Sequence, residues 1–523
     1  MMGRARLGIN VGATVAALLA TLVVAGCGGA GRSSAASSGN AAGPPKHGGT
    51  LRISLGEEVV TLDRLTAIDG QSINVIRAIN ETLFKVNSER KIEPLLVSSF
   101  GASDGQRVWT FHLREGVSFS DGRPLSAEDV VFSIKTAMES PSFSSLFEGI
   151  DAVKATSLST VVVRSTKPMP ELPGILTEWF TAIVPKNYGG ESEQQFAQNP
   201  IGTGPFLLGP WKHGESLTLE RNPNYWQAGK PYLSKVVLKA VPEDASRAAE
   251  LRAGELDVIR NPPIAQLNSL NNTSGLHVEE YASGLVYFLI LNSHSPLFRD
   301  PRVREAVDLA IDRNGILRTA LNGSGQVAGS WVPPSVLYHD SSIKADGQDV
   351  AKAKELVAEA VEEDKISPKL TLSTEAGITF WSTTGQILQQ NLEDIGFNVA
   401  IRPSDGPSHI ETLERGDYDV ASLSMYTELP TPLEMVAFYN GTGGLWSGAD
   451  TSNTTTLLQK ASSATNAGTR SDHYNELQEV IDSEHYILPL VYEPYIYAMQ
   501  EGVVGFEVSS TGTLWLTDVG FSK

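Results

Sequence analysis

Apolar and polar side chains alternate strictly at the start of the stretch Val108–Ser133. The alternation has the two-residue period of a half-buried strand, and its apolar members are Trp109, Phe111 and Leu113. Asp121-Gly122 supplies a turn, because glycine adopts backbone angles that other residues resist. Ser126 stands three residues before Asp129, which is the spacing of a capping box. The pattern therefore predicts a strand, a turn and a helix.

Other hydrophobic patterns predict a mixed α/β chain. Tyr287–Leu291 is a continuous apolar run, which is typical of a strand buried on both faces. Asp300 and Pro301 then mark a helix start, and Ser72–Leu83 has the apolar spacing of a helix. Strand and helix patterns alternate along Lys369–Ser373, Trp381–Ile395, Phe397–Arg402, Ser408–Arg415 and Tyr418–Met425. Units of this length predict parallel strands joined by right-handed crossovers. One more helix and two more strands are predicted at Arg470–Ser483, Ile487–Tyr492 and Val503–Phe506.

The length and the charge of the chain narrow the classes of function. A chain of 523 residues exceeds what one hydrophobic core accommodates, because cores stop growing at about 250–300 residues, so two or three domains are expected. The 41 basic and 60 acidic residues give a formal charge of −19. Such a polyanion lacks the excess of Lys and Arg that neutralises phosphates, which argues against nucleic-acid binding. The acidity favours solubility or, alternatively, a cleft that attracts cationic ligands.

The N-terminus predicts export. Arg4 and Arg6 precede the uncharged run Leu7–Gly26, in the order of the basic and apolar regions of a secretory signal. The run is nearly long enough to span a bilayer, so a retained anchor helix is the alternative. Val24-Ala25-Gly26-Cys27 resembles a bacterial lipobox, which implies cleavage before Cys27 and attachment of diacylglycerol to this single cysteine of the chain. Residues 27–47 carry little apolar bulk and are expected to form a flexible tether.

Several separate stretches resemble the dipeptide/oligopeptide-binding family of solute receptors for ATP-binding-cassette importers, which is bacterial extracellular solute-binding protein family 5. The resembling stretches are Glu93–Leu96, Val108–Ser133, Ile201–Trp211, Asn222–Trp226, Gly254–Val258 and Asp300–Arg313. The resemblance covers nearly all of residues 48–523. One departure is Arg64, which stands where the family carries a proline after Thr61-Leu62-Asp63.

The resemblance implies an α/β, bilobal periplasmic-binding-protein-like fold of type II, in the large peptide-binding subclass, with an extra subdomain in lobe one. The expected division of the chain has a signal peptide at 1–26 and a tether at 27–47. Lobe one is expected at 48–286 with an inserted subdomain at about 80–195, lobe two at 287–489, and a return to lobe one at 490–523. We keep these names for the two lobes below.

The resemblance also implies a function. A lipid-anchored receptor on the extracytoplasmic face of the bacterial cell membrane would capture short peptides and deliver them to the permease and ATPase subunits of an importer. We expect a monomer that is not an enzyme and needs no cofactor or metal. The alternatives are the same fold binding a non-peptide solute, either an oligosaccharide or a metal chelate, and an anchored secreted hydrolase. The sequence lacks HExxH and G-x-S-x-G, and its nine histidines show no paired metal-ligand spacing.

Candidate ligand-binding residues come from the borders between the lobes and from the family. Asp69, Tyr287 and Tyr492 border the expected crossings. In peptide-binding relatives an Asp after a strand pairs with the peptide α-ammonium, and Glu428 occupies the matching position here. The alternative is that Glu428 is a solvated loop acid. Candidate pocket walls, each with a core role as the alternative, are Trp331, Trp381, Tyr426 and Trp446.

Overall fold

The fold was described from a computed structural model. The structure describes residues 45–522 apart from Ser88, Ile366 and Glu428, and it leaves out the side chains of Asp364 and Leu445. Among the described residues, no helix combines the length and the apolar character that crossing a bilayer requires.

The first part of the chain leads into a long strand, β12. Its strands and helices are, in chain order, β1 (Thr50–Ser54), α1 (Gly70–Ile79), β2 (Phe84–Val86), β3 (Ile92–Pro94), β4 (Val97–Ser103), β5 (Val108–Leu113), α2 (Ala127–Glu139), β6 (Ile150–Ala155), β7 (Thr160–Ser165), α3 (Leu172–Ile175), α4 (Glu193–Gln198), β8 (Phe206–Lys212), β9 (Ser216–Arg221), β10 (Lys235–Lys239), α5 (Asp244–Arg252), β11 (Val258–Arg260), α6 (Leu267–Asn271) and β12 (Leu276–Leu291).

The second part of the chain is richer in helices and returns through a second long strand, β17. Its strands and helices are α7 (Pro301–Ala310), α8 (Arg313–Ala320), β13 (Gln326–Val327), α9 (Val350–Asp364), β14 (Lys369–Glu375), α10 (Thr379–Asp394), β15 (Asn398–Ser404), α11 (Gly406–Arg415), β16 (Val420–Tyr426), α12 (Leu433–Phe438), α13 (Gly444–Ser447), α14 (Ser452–Ser463), α15 (Ala467–Glu484), β17 (Ile487–Gln500), β18 (Val503–Val504) and β19 (Gly520–Phe521).

One mixed sheet of 11 strands runs through both lobes, in the order β15-β14-β16-β12-β17-β11-β1-β10-β9-β8, with β13 pairing with β17. The antiparallel strands β12 and β17 lie at its centre. Residues Leu276–Tyr281 of β12 pair with Tyr495–Gln500, and residues Leu285–Ile290 pair with Ile487–Glu493, with a register shift between the two runs. Both strands therefore belong to both lobes, and the register shift marks the place where they pass from one lobe to the other.

A separate antiparallel sheet, in the order β4-β5-β7-β6, lies within the range expected for the inserted subdomain. Helix α2 contacts β6 and β7 of this sheet. Trp109, Phe111 and Leu113 point to its buried face, as their alternation predicted. The capping box at the start of α2 is confirmed, because the Asp129 carboxylate accepts from the Ser126 N–H at 2.9 Å and from its hydroxyl at 2.6 Å.

Separate apolar clusters support the two lobes. One cluster joins β1, α1 and the small sheet with residues near the C-terminus, such as Val508 and Leu516. In lobe two, successive residues of β12 point to opposite sides of the sheet. Leu289 and Leu291 enter one cluster, whereas Phe288 and Ile290 enter another. The continuous apolar run of this strand is thus buried on both faces, as predicted.

Two stretches that resemble the family meet at the buried carboxylate of Glu81. Its donors are Tyr225 Oη at 2.8 Å, Trp226 Nε1 at 2.9 Å and Thr203 Oγ1 at 3.0 Å. Burial raises the pKa of Glu81 to about 7, against the opposing effect of these donors. At Gly204 a Cβ would lie 2.5 Å from the Ala78 carbonyl oxygen, so glycine is needed for the close approach to α1. Gly204 therefore allows the stretch Ile201–Trp211 to pack closely against α1.

Most predicted elements are present with shifted ends. The parallel pairing of β14 with β15 and β16 is confirmed. The helix predicted at Ser72–Leu83 ends at Ile79, because Asn80 turns away and its side-chain amide donates to the Ile201 carbonyl at 3.1 Å. The strand predicted from Tyr287 begins at Leu276. The hydrophobic pattern missed its first half because that half is polar and only partly buried. The strand predicted at Val503–Phe506 is limited to Val503–Val504.

Candidate functional site

The candidate site lies where β12 and β17 cross between the lobes. In open α/β sheets, ligands bind outside the carboxyl ends of the strands. Here β1 and β11 run parallel and end side by side, with Ser54 opposite Ile259. Arg260 is the last residue of β11 and pairs with Tyr497 of β17. From that point β17 leads back through Tyr495 to Glu493, which is opposite Leu285 of β12. We call Arg260, Tyr287, Tyr426, Glu493 and Tyr495 the crossing site.

Arg260 is a partly buried cation with no acidic partner among the described residues. Its guanidinium lies 5.1 Å from the centre of the Tyr495 ring, a cation–π distance. Its Nε is buried and makes no hydrogen bond, and among the described residues no carboxylate lies within 4.0 Å of it. Burial lowers the pKa of Arg260, but neighbouring groups outweigh that effect and raise it. These groups are Tyr497, Tyr495, Tyr426 and Glu493.

Glu493 carries the opposite charge and is held towards lobe two. Its carboxylate accepts a hydrogen bond from Tyr287 Oη at 2.6 Å. The Tyr287 ring stacks on Phe380 with centroids 3.9 Å apart, and Trp381 meets its edge at 5.1 Å. Burial raises the pKa of Glu493, while the Tyr287 hydrogen bond and the charge of Arg260 act in the opposite direction. The aromatic residues thus fix Glu493 away from ion-pair contact with Arg260.

A loop from the C-terminal part of the chain closes one side of the crossing site. Tyr426 of lobe two donates a hydrogen bond to the carbonyl of Thr511. Helix α1 holds the same loop, since the Leu514 N–H donates to Asn74 Oδ1 at 2.7 Å. Gly512 has φ +76°, and a Cβ there would lie 2.9 Å from Tyr495 Oη and 3.0 Å from Tyr426 Oη. Glycine is required here both by the backbone angle and by the two hydroxyls.

The lobes also touch far from the crossing strands, at a contact that we call the rim. Glu171, at the start of α3 in lobe one, forms an ion pair with Arg470 of lobe two at 3.6 Å, with side chains 9% and 12% exposed. Gln106 Nε2 donates to the Thr465 carbonyl at 2.8 Å. Leu429 of lobe two joins the apolar cluster of lobe one. The structure therefore has the lobes closed against each other.

The structure brings some of the predicted site residues together at the crossing. Tyr287 and Tyr426 belong to the crossing site itself. Asp69 caps α1, accepting from the Ser72 N–H at 2.7 Å, and its neighbour Gly70 is close to Arg260. A Cβ added to Gly70 would lie 3.4 Å from Arg260 Nη1. Trp381 is buried behind Tyr287 and supports it from the core of lobe two.

Other predicted site residues lie in the core of lobe two. The Tyr492 hydroxyl accepts from the Ser330 N–H at 3.0 Å and donates to the Ser330 carbonyl. Trp331 and Trp446 are buried in the same cluster, and the Trp446 carbonyl accepts from Tyr418 Oη at 2.8 Å. Two predicted residues, Glu428 and Cys27, lie outside the described residues.

Sequence reasoning missed Arg260 and Glu493. A signal for each exists in the printed sequence. Glu493 is the one charged residue in the strand Ile487–Gln500, and Arg260 ends a short strand whose other residues are apolar. A charge inside an otherwise apolar strand needs a partner or a function. Because the two residues are far apart in the chain, only the pairing of β11 with β17 shows that they share a site.

The chemistry of the site is that of binding. Among the described residues, no group of three or more His, Cys, Asp or Glu side chains is arranged to hold a metal ion. The crossing site offers hydroxyls, one cation and one carboxylate, placed where two lobes meet. Such groups orient a polar ligand through hydrogen bonds and charge.

Comparisons with known proteins agree with this arrangement. The chain is 27% identical over 465 residues to the probable D,D-dipeptide-binding periplasmic protein DdpA of Escherichia coli (strain K12), covering 85% of this chain and 89% of the relative. It is 26% identical over 487 residues to the glutathione-binding protein GsiB of Shigella flexneri, covering 90% and 93%.

A solved structure has the same fold. The ABC transporter-associated periplasmic binding protein DppA of Helicobacter pylori, in complex with the peptide STSA, superposes with a TM-score of 0.76 at 25% identity, covering 91% of this chain and 99% of that one. The names of these relatives describe binding proteins. The family profile of bacterial extracellular solute-binding proteins, family 5, matches residues 91–446. The chain therefore belongs to the bacterial extracellular solute-binding proteins of family 5.

Proposed function

We propose that the protein is a lipid-anchored, extracytoplasmic receptor that captures short peptides and delivers them to an ATP-binding-cassette importer. The observation that carries the proposal is that β12 and β17 run through both lobes and join them. Lobes joined in this way close over a ligand by a hinge motion. The rim contact then holds the closed form.

Peptides are the ligand class that the relatives support. A D,D-dipeptide, glutathione and the peptide STSA all carry amide groups and charged termini. An extended peptide hydrogen-bonds through its main chain, while its side chains occupy pockets. We propose that Glu428 holds the α-ammonium, as the matching Asp does in peptide-binding relatives. The tyrosine hydroxyls of the crossing site suit the amides of such a ligand.

Mass spectrometry of the ligand that denaturation releases from protein purified from its host tests the peptide assignment. A peptide or a set of peptides is the expected result. A sugar or a metal chelate would contradict the peptide assignment while leaving the receptor function intact. Turnover of a compound in a panel of hydrolase substrates would contradict the receptor function itself.

The lipid anchor is a separate part of the proposal and rests on Cys27. The intact mass of protein from the membrane fraction should correspond to a chain that begins at diacylglycerol-modified Cys27. The Cys27→Ser variant should accumulate as unprocessed precursor. An unmodified chain that retains Met1 would contradict the anchor.

A further inference from the structure

Arg260 combines a buried Nε that makes no hydrogen bond with the lack of an acidic partner among the described residues. The chain carries 60 acidic residues against 41 basic ones, yet within the part that the structure describes none of their carboxylates reaches ion-pair distance of Arg260. Two neighbouring arginines of lobe one have partners for their guanidinium Nη atoms. Arg52, on the neighbouring strand β1, pairs with Asp257 at 2.7 Å, and Arg247 donates to the carbonyls of Val241 and Pro242 at 2.8 and 2.6 Å.

The position of Arg260 is set by its neighbours rather than by a counter-ion. The Tyr495 ring lies under the guanidinium, and the absence of a side chain at Gly70 leaves room for Nη1. The charge of Glu493 acts on Arg260, but the Glu493 carboxylate accepts a hydrogen bond from Tyr287, whose ring stacks on Phe380. A charged group that is partly removed from water and not paired favours the binding of an opposite charge. The planar fork of arginine matches a carboxylate with two parallel hydrogen bonds.

We propose that Arg260 forms a carboxylate-binding subsite on lobe one, at the carboxyl end of β11, and anchors the acidic group of the ligand there. The inference deepens the proposed function and rests on it for the choice of peptide probes. The subsite lies on lobe one, whereas the ammonium-binding position proposed at Glu428 belongs to lobe two. A ligand bound at both would be held by opposite charges on opposite lobes, so its own length would set how far the lobes close.

The first experiment is calorimetry with three peptide probes. These are trialanine, trialanine amide, and an alanine tripeptide amide with a central aspartate, so that a C-terminal and a side-chain carboxylate are distinguished. The parent should bind at least one carboxylate probe about 30-fold or more tighter than trialanine amide, the loss expected when one member of a desolvated charge pair is removed. In Arg260→Gln this preference should fall to near unity, while the affinity for trialanine amide should stay within a few-fold.

Two further variants separate charge from structure. Arg260→Lys keeps the charge without the fork and should retain part of the preference. Arg252→Gln removes an exposed arginine of lobe one whose Nη1 donates to Gln266 Oε1 at 2.9 Å. This variant should retain the full preference for the carboxylate probes. An Arg260→Gln variant that keeps the full preference would overturn the subsite, and so would a parent that binds the acid and the amide equally. If Arg260→Gln also lost affinity for trialanine amide, thermal denaturation would show whether that variant is folded. The Arg260→Lys variant would then decide, because a folded Lys variant without any preference for the carboxylate probes would overturn the subsite.

The ligand that denaturation releases from host-purified protein keeps this test independent of the peptide assignment. A ligand that carries a carboxylate but is not a peptide would contradict the peptide assignment and support the subsite, provided that Arg260→Gln retains less of it than the parent. A released peptide with no carboxylate would support the peptide assignment and contradict the subsite. A parent that binds no carboxylate probe and retains no carboxylate ligand would overturn both.

Discussion

An acid and an arginine lie near each other both at the rim and at the crossing site, but only the two at the rim form an ion pair. Glu171 and Arg470 are 3.6 Å apart and almost completely buried. Arg260 and Glu493 influence each other's pKa without coming within 4.0 Å. At the rim, lobe two surrounds the incoming Glu171 with the side chains of Thr431, Arg470 and Tyr474. At the crossing site, tyrosines separate the two charges.

The difference shows what each region does when the lobes close. The rim charges contact each other across the lobes, so their effect on closure does not depend on a ligand. The crossing charges gain no direct partner from closure, so a ligand that reaches them adds binding energy that closure alone does not supply. Under the proposed function, a ligand that satisfies the crossing site would add to whatever closure the rim contact provides.

The largest effect is expected from Arg470→Gln. The variant leaves the buried Glu171 carboxylate without a cation, which typically costs about 3–5 kcal/mol in a closed structure. Opening of the lobes relieves this cost, because Glu171 then regains water. Small-angle scattering should therefore show a larger radius of gyration for Arg470→Gln than for the parent, and ligand affinity should fall.

Glu171→Gln is the matched control. Arg470 would keep its hydrogen bonds to Tyr338 Oη at 3.0 Å and to the Ala464 carbonyl at 2.9 Å. The amide of the variant also avoids the cost of burying a charge. We expect a change in ligand affinity of well under 1 kcal/mol. Equal effects of the two substitutions would contradict the explanation that Arg470→Gln acts by leaving a buried carboxylate unpaired.

The next largest effect is expected from Glu428→Gln, which deletes the proposed lobe-two charge while keeping the shape of the side chain. Loss of one partner of a desolvated charge pair costs about 2 kcal/mol or more. Calorimetry with one peptide, free and N-acetylated, against the parent and the variant completes a double-mutant cycle. Acetylation should weaken binding to the parent far more than to the variant. Equal losses would mean that Glu428 does not recognise the amino group.

The sequence predicted the architecture better than the ligand contacts. The parallel units after Lys369 and the buried run ending at Leu291 follow from local periodicity, which the structure confirms. The crossing site depends on register between strands distant in the chain, so periodicity alone could not assign it. Aromatic character alone does not distinguish Tyr426, which faces the site, from Tyr492, whose hydroxyl bonds Ser330 in the core. The signal for Arg260 and Glu493 was present, but it required knowledge of which strands are neighbours.

A smaller effect is expected from Gly512→Ala, which disturbs the crossing site without touching a charge. The added Cβ would meet the hydroxyls of Tyr426 and Tyr495, and φ +76° is strained for alanine. We expect a loss of stability of about 1–2 kcal/mol. Thermal denaturation measures it, and Gly214→Ala, also at positive φ but with no atom within 4 Å of the added Cβ, is the control. If both variants lose the same stability, backbone strain alone accounts for the loss and the two hydroxyls do not crowd the position.

The smallest effect is the pH dependence of the rim. Burial raises the pKa of Glu171 in the closed form, although Arg470, Thr431 and Tyr474 oppose the shift. An open form would hydrate the carboxyl and so return its pKa towards the ordinary value. Closure then takes up a fraction of a proton. The contribution of Glu171 to closure is therefore fully present below the ordinary pKa and is lost as the pH rises through the raised pKa, by at most about tenfold per pH unit.

Glu81 and Glu178, whose pKa values burial raises to about 7, also titrate between pH 5 and pH 8 but remain in both proteins. The difference between the parent and Glu171→Gln therefore isolates the rim. Ligand affinity measured from pH 5 to pH 8 should fall more steeply with rising pH in the parent than in Glu171→Gln. Identical slopes would mean that Glu171 keeps the same protonation state in the open and the closed forms, and the rim would then act through packing alone.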